Sequence, residues 1–120
     1  MYNTLFTGGS GVLGTEMKKL FQGAHFPTSS EFNILDVSGM LRYIKDNDLK
    51  INNIVHMAAA ARLSIIDEDP MYALSTNIIG TSNVVFLCSI LGCKITYIST
   101  DYVFRGDFGN YKEGDPMYPV

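Results

Sequence analysis

The residues best suited to chemistry form a glycine-rich run near the start of the chain, TGGSGVLG at positions 7–14. A phosphate group binds readily to the backbone N–H groups at a helix N-terminus when no Cβ atom blocks its approach. Gly8 allows a tight turn, Gly11 lets the backbone come close to the phosphates, and Gly14 lets a helix pack closely on a strand. Because the run follows a predicted strand and opens a predicted helix, it predicts a site for the pyrophosphate of a dinucleotide.

A second group of polar residues bears on which dinucleotide binds. Glu31 follows the glycine run at about the 20-residue separation at which an acid contacts a ribose 2′-hydroxyl. No Lys or Arg lies between Phe21 and Arg42, and a basic residue is what usually accommodates a 2′-phosphate. The pattern favours NAD over NADP, but serines such as Ser29 and Ser30 also bind a 2′-phosphate, so both cofactors stay open.

Several other polar residues have structural explanations. Asp36 precedes a predicted helix, where a carboxylate commonly caps the first turn. Asn77 lies on a mostly apolar helix and needs a hydrogen-bond partner, so a structural role is as well supported as a catalytic one. His56 lies in a buried strand and is interpreted as a core histidine rather than a base or metal ligand. Cys88 and Cys93 are too few for a disulfide framework or a zinc site, so no metal site is predicted.

Short apolar strands alternating with helical periods must position these residues, and that order predicts an α/β fold with a parallel sheet. The predicted architecture is the doubly wound Rossmann type, with strands in the spatial order 3-2-1-4-5. The predicted strands are 2–7, 24–27, 32–35, 53–57 and 94–99, and the predicted helices run from Gly11 to a stop at Gly23, over 38–48 and over 71–91. Residues 105–120 lack periodicity and are predicted to be loop.

Composition narrows the class of protein. The chain has 120 residues, of which 47% are hydrophobic and 18% charged, and its net charge is −3. These values suit one globular domain, exclude disorder and give no reason to expect nucleic acid as a partner. The most apolar stretch, 54–66, is interrupted by His56 and Arg62, and the N-terminus lacks a signal-peptide pattern. We therefore expect a soluble cytoplasmic protein with no membrane span.

Five segments, in chain order, resemble those of the extended short-chain dehydrogenase/reductases, which act largely on nucleotide sugars. They are TGGSGVLG at 7–14, LDV at 35–37, VHMAA at 55–59, NIIGT at 77–81 and STDYVF at 99–104. The last segment is similar to that of the dTDP-4-dehydrorhamnose reductases in particular. The resemblance extends over essentially the whole chain.

The resemblance implies an NAD(P)-dependent enzyme that reduces the 4-keto group of a nucleotide sugar. It assigns Thr100 as the hydroxyl that contacts the reacting carbonyl, with a tyrosine, and a lysine four residues later, transferring the proton. No Tyr-x-x-x-Lys occurs in the sequence, so we expect that pair beyond residue 120 and interpret 1–120 as the NAD(P)-binding part of a longer protein. An epimerase or dehydratase, or a non-catalytic dinucleotide-binding regulatory subunit, is the alternative.

The remaining site residues are predicted to bind the cofactor. The resemblance implies that Asp36, the acid of the LDV segment, contacts the adenine. The fifth predicted strand reads as covered on both faces, so we also expect later strands, a second copy or a partner to cover its open edge. The predicted cofactor-binding residues are Gly8, Ser10, Gly11, Val12, Leu13, Gly14, Glu31, Asp36, Val37, Met57, Ala58, Ala59, Asn77 and Ser99.

Overall fold

The computed structural model describes residues 3–119, which build a parallel sheet packed against helices. The sheet contains β1 (Thr4–Thr7), β2 (Asn53–His56) and β3 (Lys94–Tyr97), in the order β1-β2-β3. All pairs are parallel, and the register aligns the strand ends, so that Thr7 lies opposite His56 and His56 opposite Tyr97. The predicted order of the first, fourth and fifth strands is therefore confirmed. Residue 2, predicted to begin the first strand, lies outside the described residues.

The helices connect these strands and lie near their predicted positions. The bounds are α1 (Val12–Leu20), α2 (Val37–Asp46), α3 (Leu63–Glu68), α4 (Pro70–Leu74), a π-helical segment (Ser75–Gly80), α5 (Thr81–Leu91) and a 3₁₀ turn (Asp101–Val103). The stretch Pro70–Leu91 is one continuous helix of 22 residues, which we call the long helix. It ends at Gly92, whose φ of 63° is the left-handed conformation typical of a glycine helix stop.

The predicted second and third strands need correction. Segment 24–27 pairs with β1 through a single bridge between His25 and Leu5. The predicted strand 32–35 is wrong, since these residues form turns. Asn33 explains this, because its side chain accepts a hydrogen bond from the Leu35 N–H and its carbonyl accepts one from the Asp36 N–H. Local bonds of this kind satisfy backbone groups that a strand would have to pair with a neighbour.

The hydrophobic core lies between the sheet and the α2–α5 face. Alternation along the strands directs Leu5 and Ile54 into this layer, while Phe6 points to the opposite face and stacks on Phe26 with ring centroids 4.4 Å apart. Helices α2 and α5 close the layer from above. The buried members of the cluster are Leu5, Phe32, Ile34, Met40, Ile44, Ile51, Ile54, Val84, Leu87 and Cys88.

The long helix is uncharged and, by length and composition alone, would also suit a membrane span. The sequence-based expectation that no stretch is long enough is therefore wrong on that criterion. In the structure the helix buries Gly80, Val84, Leu87 and Cys88 on the core side. It thus serves as a covering helix of the sheet.

Candidate cofactor site

The glycine run forms a tight turn between β1 and α1, and its glycines are required by close backbone contacts. Gly8 has a φ of 73°, and a Cβ there would lie 2.9 Å from both the N and Cα atoms of Ala58. A Cβ on Gly14 would lie 2.7 Å from the Cα and carbonyl carbon of Gly9. Side chains at these two positions would force apart the turn, the helix and the end of β2. The structure therefore supplies the physical reason for the glycines inferred from sequence.

The N-terminus of α1 is arranged to receive an anion. Gly11 is the N-cap residue, and no side chain caps the helix or places an acidic group in its first turn. The Gly11 N–H donates to the Gly8 carbonyl at 3.0 Å, which closes the turn. Val12 and Leu13 begin the helix with exposed side chains, so their contribution to a ligand is through the backbone N–H groups. Those groups and the positive end of the helix dipole suit a phosphate.

The turn forms one wall of a groove of about 290 Å³, which we call the nucleotide groove. Six predicted residues line it: Gly8, Ser10, Gly11, Met57, Ala58 and Ala59. The opposite wall includes Ser29, one of the serines noted above as able to bind a 2′-phosphate. Sequence reasoning missed the other residues of this wall, which are Pro27, Phe32, Asn33, Ile34, Leu35, Tyr72 and Thr76. A signal for part of it was available, because Leu35 precedes the Asp36 of the LDV motif and segment 27–35 is rich in turn residues. Tyr72 and Thr76 come from the long helix and gave no such signal.

Two predicted carboxylates lie beside the nucleotide groove rather than in it. Glu31 and Asp36 line a neighbouring depression together with Arg42. Glu31 accepts hydrogen bonds from the Thr28 backbone N–H at 2.8 Å and hydroxyl at 2.7 Å, which lower the pKa of its carboxyl group. Asp36 caps α2 by accepting from the Gly39 N–H at 2.9 Å. The helix-capping interpretation of Asp36 is thus confirmed, and its contact with a ligand stays a prediction, as does that of Glu31.

Three further predicted residues support the groove from behind. Val37 opens α2 and packs against the core cluster. Gly14 is buried beneath the turn. Asn77 lies in the π-helical segment, where its side chain accepts from the Ala60 N–H at 2.8 Å and donates to the Ala60 carbonyl at 3.1 Å. Asn77 therefore ties the long helix to the chain that leaves β2, which is a structural role.

A second cavity, of about 460 Å³, adjoins the nucleotide groove, and Met57, Ala58 and Ala59 line both. Ser99 and Thr100 line the second cavity, as do Asn77, Tyr97 and Tyr102. The Thr100 hydroxyl accepts from the Tyr102 N–H at 3.2 Å and donates to Asp101 Oδ1 at 3.3 Å, which caps the 3₁₀ turn.

The catalytic assignment of Thr100 stays a prediction, because its hydroxyl makes hydrogen bonds within its own turn, which is a structural role. The cavity nevertheless brings it next to the groove wall. Among the described residues, no cluster of His, Cys, Asp or Glu suits a metal ion.

Together, the parallel sheet, the glycine turn and the groove beside it define a Rossmann-type fold. The chain belongs to the RmlD substrate binding domain family, whose sequence model matches residues 2–120. The resemblance to the extended short-chain dehydrogenase/reductases and the predicted fold class are therefore confirmed.

Relatives of known name fall into two groups. The chain is 32% identical over 127 residues to methionine adenosyltransferase 2 subunit beta of Pongo abelii, a match that covers 97% of this chain. It is 32% identical over 93 residues to dTDP-4-dehydrorhamnose reductase of Mycobacterium tuberculosis (strain CDC 1551 / Oshkosh), a match that covers 78% of this chain. The matches span 37% and 29% of the length of those relatives.

Solved structures give the same fold. The dTDP-4-dehydrorhamnose reductase of Bacillus anthracis str. Ames, in complex with NADP, superposes with a TM-score of 0.86 at 26% identity, covering 98% of this chain and 43% of that one. The UDP-glucose 4-epimerase of Brucella ovis, in complex with NAD, has a TM-score of 0.82 at 20% identity, covering 100% of this chain and 42% of that one. The second likeness is one of fold alone.

Proposed function

We propose that this chain is the NAD(P)-binding part of a nucleotide-sugar reductase of the dTDP-4-dehydrorhamnose reductase type. The observation that carries the proposal is the glycine cradle. Gly8 is pressed against Ala58 and Gly14 against Gly9 at distances that exclude any side chain, and the uncapped helix α1 begins beside them. A cradle of this kind fits a pyrophosphate, and a relative with the same fold is described in complex with NADP.

Each group of residues has a proposed role that follows from its position in the site. The backbone N–H groups at the start of α1 bind the pyrophosphate, and Ser10 supplies a hydroxyl at the groove wall. Met57, Ala58 and Ala59 separate the groove from the second cavity, which we assign to the sugar. A bound nicotinamide dinucleotide supplies the hydride chemistry, and Thr100 orients the carbonyl by a hydrogen bond.

Isothermal titration calorimetry with NAD⁺ and NADP⁺ tests cofactor binding directly. We expect the chain to bind at least one of them and to show no turnover with NADPH and a dTDP-4-keto-6-deoxyhexose, because the sequence holds no Tyr-x-x-x-Lys pair. Gly109→Ala is the matched control for glycine variants in the cradle, since a Cβ there meets no atom within 4 Å. Failure to bind either dinucleotide contradicts the proposal, and reduction of the sugar by this chain alone contradicts the expectation that the Tyr/Lys pair is required from outside it.

A second function is favoured by one observation. The match to the methionine adenosyltransferase subunits covers more of this chain than the match to the reductase, 97% against 78%. On this alternative the protein that contains this chain binds the dinucleotide and regulates a partner enzyme without consuming the cofactor. Net oxidation of NADPH by the protein that contains this chain, in the presence of a 4-keto nucleotide sugar, favours the reductase. Binding without oxidation, together with co-purification of a methionine adenosyltransferase, favours the regulatory subunit. An epimerase would convert a nucleotide sugar with no net oxidation of NADPH.

A further inference from the structure

His56 lies at the centre of a buried chain of hydrogen bonds and lines the second cavity, next to Met57 and Ala58, which line both cavities. Its side chain and that of Thr7 are almost fully buried. His56 Nδ1 lies 2.7 Å from Thr7 Oγ1, and His56 Nε2 lies 3.0 Å from Thr81 Oγ1. The Tyr97 ring packs beside the imidazole, with ring centroids 5.9 Å apart. The imidazole therefore contacts groups from β1, α5 and β3.

The direction of each hydrogen bond follows from the valence of Thr7. Its hydroxyl oxygen accepts from the backbone N–H groups of Met57 and Ala58, each at 3.2 Å. A hydroxyl has two acceptor positions and one proton, so the proton is left to be donated to His56 Nδ1. In a neutral imidazole the other nitrogen then carries the proton, and Nε2–H donates to Thr81. The contacts thus specify the neutral Nε2–H tautomer.

We propose that neutral His56 is a positioning residue for the dinucleotide, acting through Thr7 on Met57 and Ala58, which line the nucleotide groove. Thr7 holds the N–H groups of Met57 and Ala58, and the backbone of Ala58 is the surface against which Gly8 packs. A proton on Nδ1 would face a Thr7 oxygen whose acceptor positions are both used. The hydroxyl of Thr7 would at the same time lose its acceptor. Protonation of His56 therefore disturbs the contact between the strand ends that shapes the groove.

The surroundings of His56 favour the neutral form. Burial lowers the pKa of His56 below its ordinary value of 6.5, because an imidazolium loses its hydration in the interior. The groups that face the ring are the hydroxyls of Thr7 and Thr81 and the aromatic ring of Tyr97. Since the folded-state pKa is depressed, the unfolded chain binds the proton first. The stability that His56 contributes is complete above pH 6.5 and is lost as the pH falls through the folded-state pKa.

The tautomer can be measured without any ligand. Long-range ¹H–¹⁵N NMR correlations of the two histidines, His25 and His56, distinguish protonated from unprotonated ring nitrogens. We expect His56 to show an unprotonated Nδ1 and a protonated Nε2 at pH 7, and to titrate below its ordinary pKa of 6.5. An Nδ1–H tautomer, or titration of His56 at or above pH 6.5, overturns the proposal.

The functional part rests on the proposed dinucleotide binding and uses NAD⁺, which lacks the phosphate monoester of NADP⁺ that titrates near pH 6. Between pH 7.5 and a pH one unit below the His56 pKa measured by NMR, we expect NAD⁺ affinity to fall about tenfold, the effect of losing roughly one buried hydrogen bond. His56→Gln keeps an acceptor and a donor but cannot titrate, so its NAD⁺ affinity should change less than about twofold over this range. His25→Gln is the matched control and should keep the wild-type pH profile.

His56→Leu should weaken binding at every pH, and circular dichroism will show whether that variant is folded. If the NAD⁺ affinity of His56→Gln falls with pH as steeply as that of the wild type, the positioning role is overturned. If the wild-type protein binds no dinucleotide, the proposed function fails, and the NMR result still decides the tautomer. The two failures are therefore distinguishable.

Discussion

Gly14 is a position in the glycine turn where the neighbouring backbone leaves no space for a side chain. A Cβ at this position would lie 2.7 Å from the backbone of Gly9, and backbone atoms have no alternative rotamer to adopt. We expect Gly14→Ala to destabilise the protein by about 1–3 kcal/mol, the usual cost of overpacking, and to abolish binding of the dinucleotide. Urea unfolding and calorimetry measure the two effects.

The matched control for that prediction is Gly114→Ala, since an added Cβ there meets no atom within 4 Å. We expect its free energy of unfolding to stay within about 0.5 kcal/mol of the wild type, as is usual for surface substitutions. If Gly14→Ala unfolds at the same urea concentration as this control, the tight packing between α1 and the turn is not the reason for the glycine.

The charge of Glu31 can be removed to test the preference for NAD⁺ over NADP⁺. Its hydrogen bonds from Thr28 lower the pKa of the carboxyl group, so it is ionised at neutral pH and would repel a 2′-phosphate. Glu31→Gln keeps an acceptor for Thr28 but removes the charge. We expect affinity for NADP⁺ relative to NAD⁺ to rise about fivefold, because the repulsion between the carboxylate and the 2′-phosphate is removed.

Glu16→Gln on α1 is the control for this charge change, because Glu16 is exposed and pairs with Lys19 at 2.7 Å. The ratio of the two affinities should not move in this variant. An equal ratio in Glu31→Gln and wild type would remove the basis for the NAD preference inferred from the position of Glu31.

At the scale of the element, the π-helical segment brings Gly80 against the groove wall. A Cβ on Gly80 would lie 2.5 Å from Cδ1 and 2.8 Å from Cγ1 of Ile34, and Ile34 is buried and lines the nucleotide groove. Gly80→Ala gains about 1 kcal/mol of helix propensity but forces Ile34 to move. Overpacking costs about 1–3 kcal/mol, so we expect net destabilisation of roughly 1 kcal/mol and weaker dinucleotide binding.

Ile34→Val supplies the matched background, because it removes the Cδ1 atom that the new methyl group would strike. A double-mutant cycle on unfolding free energy should show Gly80→Ala to be less costly, by about 1 kcal/mol, when residue 34 is Val. Additive effects of the two substitutions would show that the long helix and segment 32–35 do not share this contact.

The elements also show how far sequence alone could go. The strand, turn and first helix were predictable, because a glycine spacing and two apolar periods are local signals. The third predicted strand failed because the side chain of Asn33 satisfies nearby backbone groups, a competition that apolar content does not reveal. Tyr72 and Thr76 reach the groove only through tertiary packing. The same holds for the pairing of Thr7 with His56, 49 residues away.

At the scale of the whole molecule, the long helix has two apolar sides and the described structure covers one of them. Its outer side exposes about half or more of several large side chains, namely Ile78, Ile79, Val85, Phe86 and Ile90. Contiguous exposed apolar surface of this kind usually marks an interface. The named relatives extend well beyond the matched region, so further chain, a second copy or a partner is the natural cover.

We therefore expect this chain on its own to self-associate through the outer side of the long helix as its concentration rises. Replacing Phe86 and Ile90 together by Lys should shift the light-scattering mass after size-exclusion chromatography to that of a monomer, because charge cannot be buried unpaired in such a contact. The control pair is Leu20→Lys with Phe108→Lys, which changes two even more exposed apolar side chains on other segments. A wild-type mass that is monomeric at every concentration, or an equal shift in the control pair, would exclude the outer side of the long helix as the surface through which copies meet.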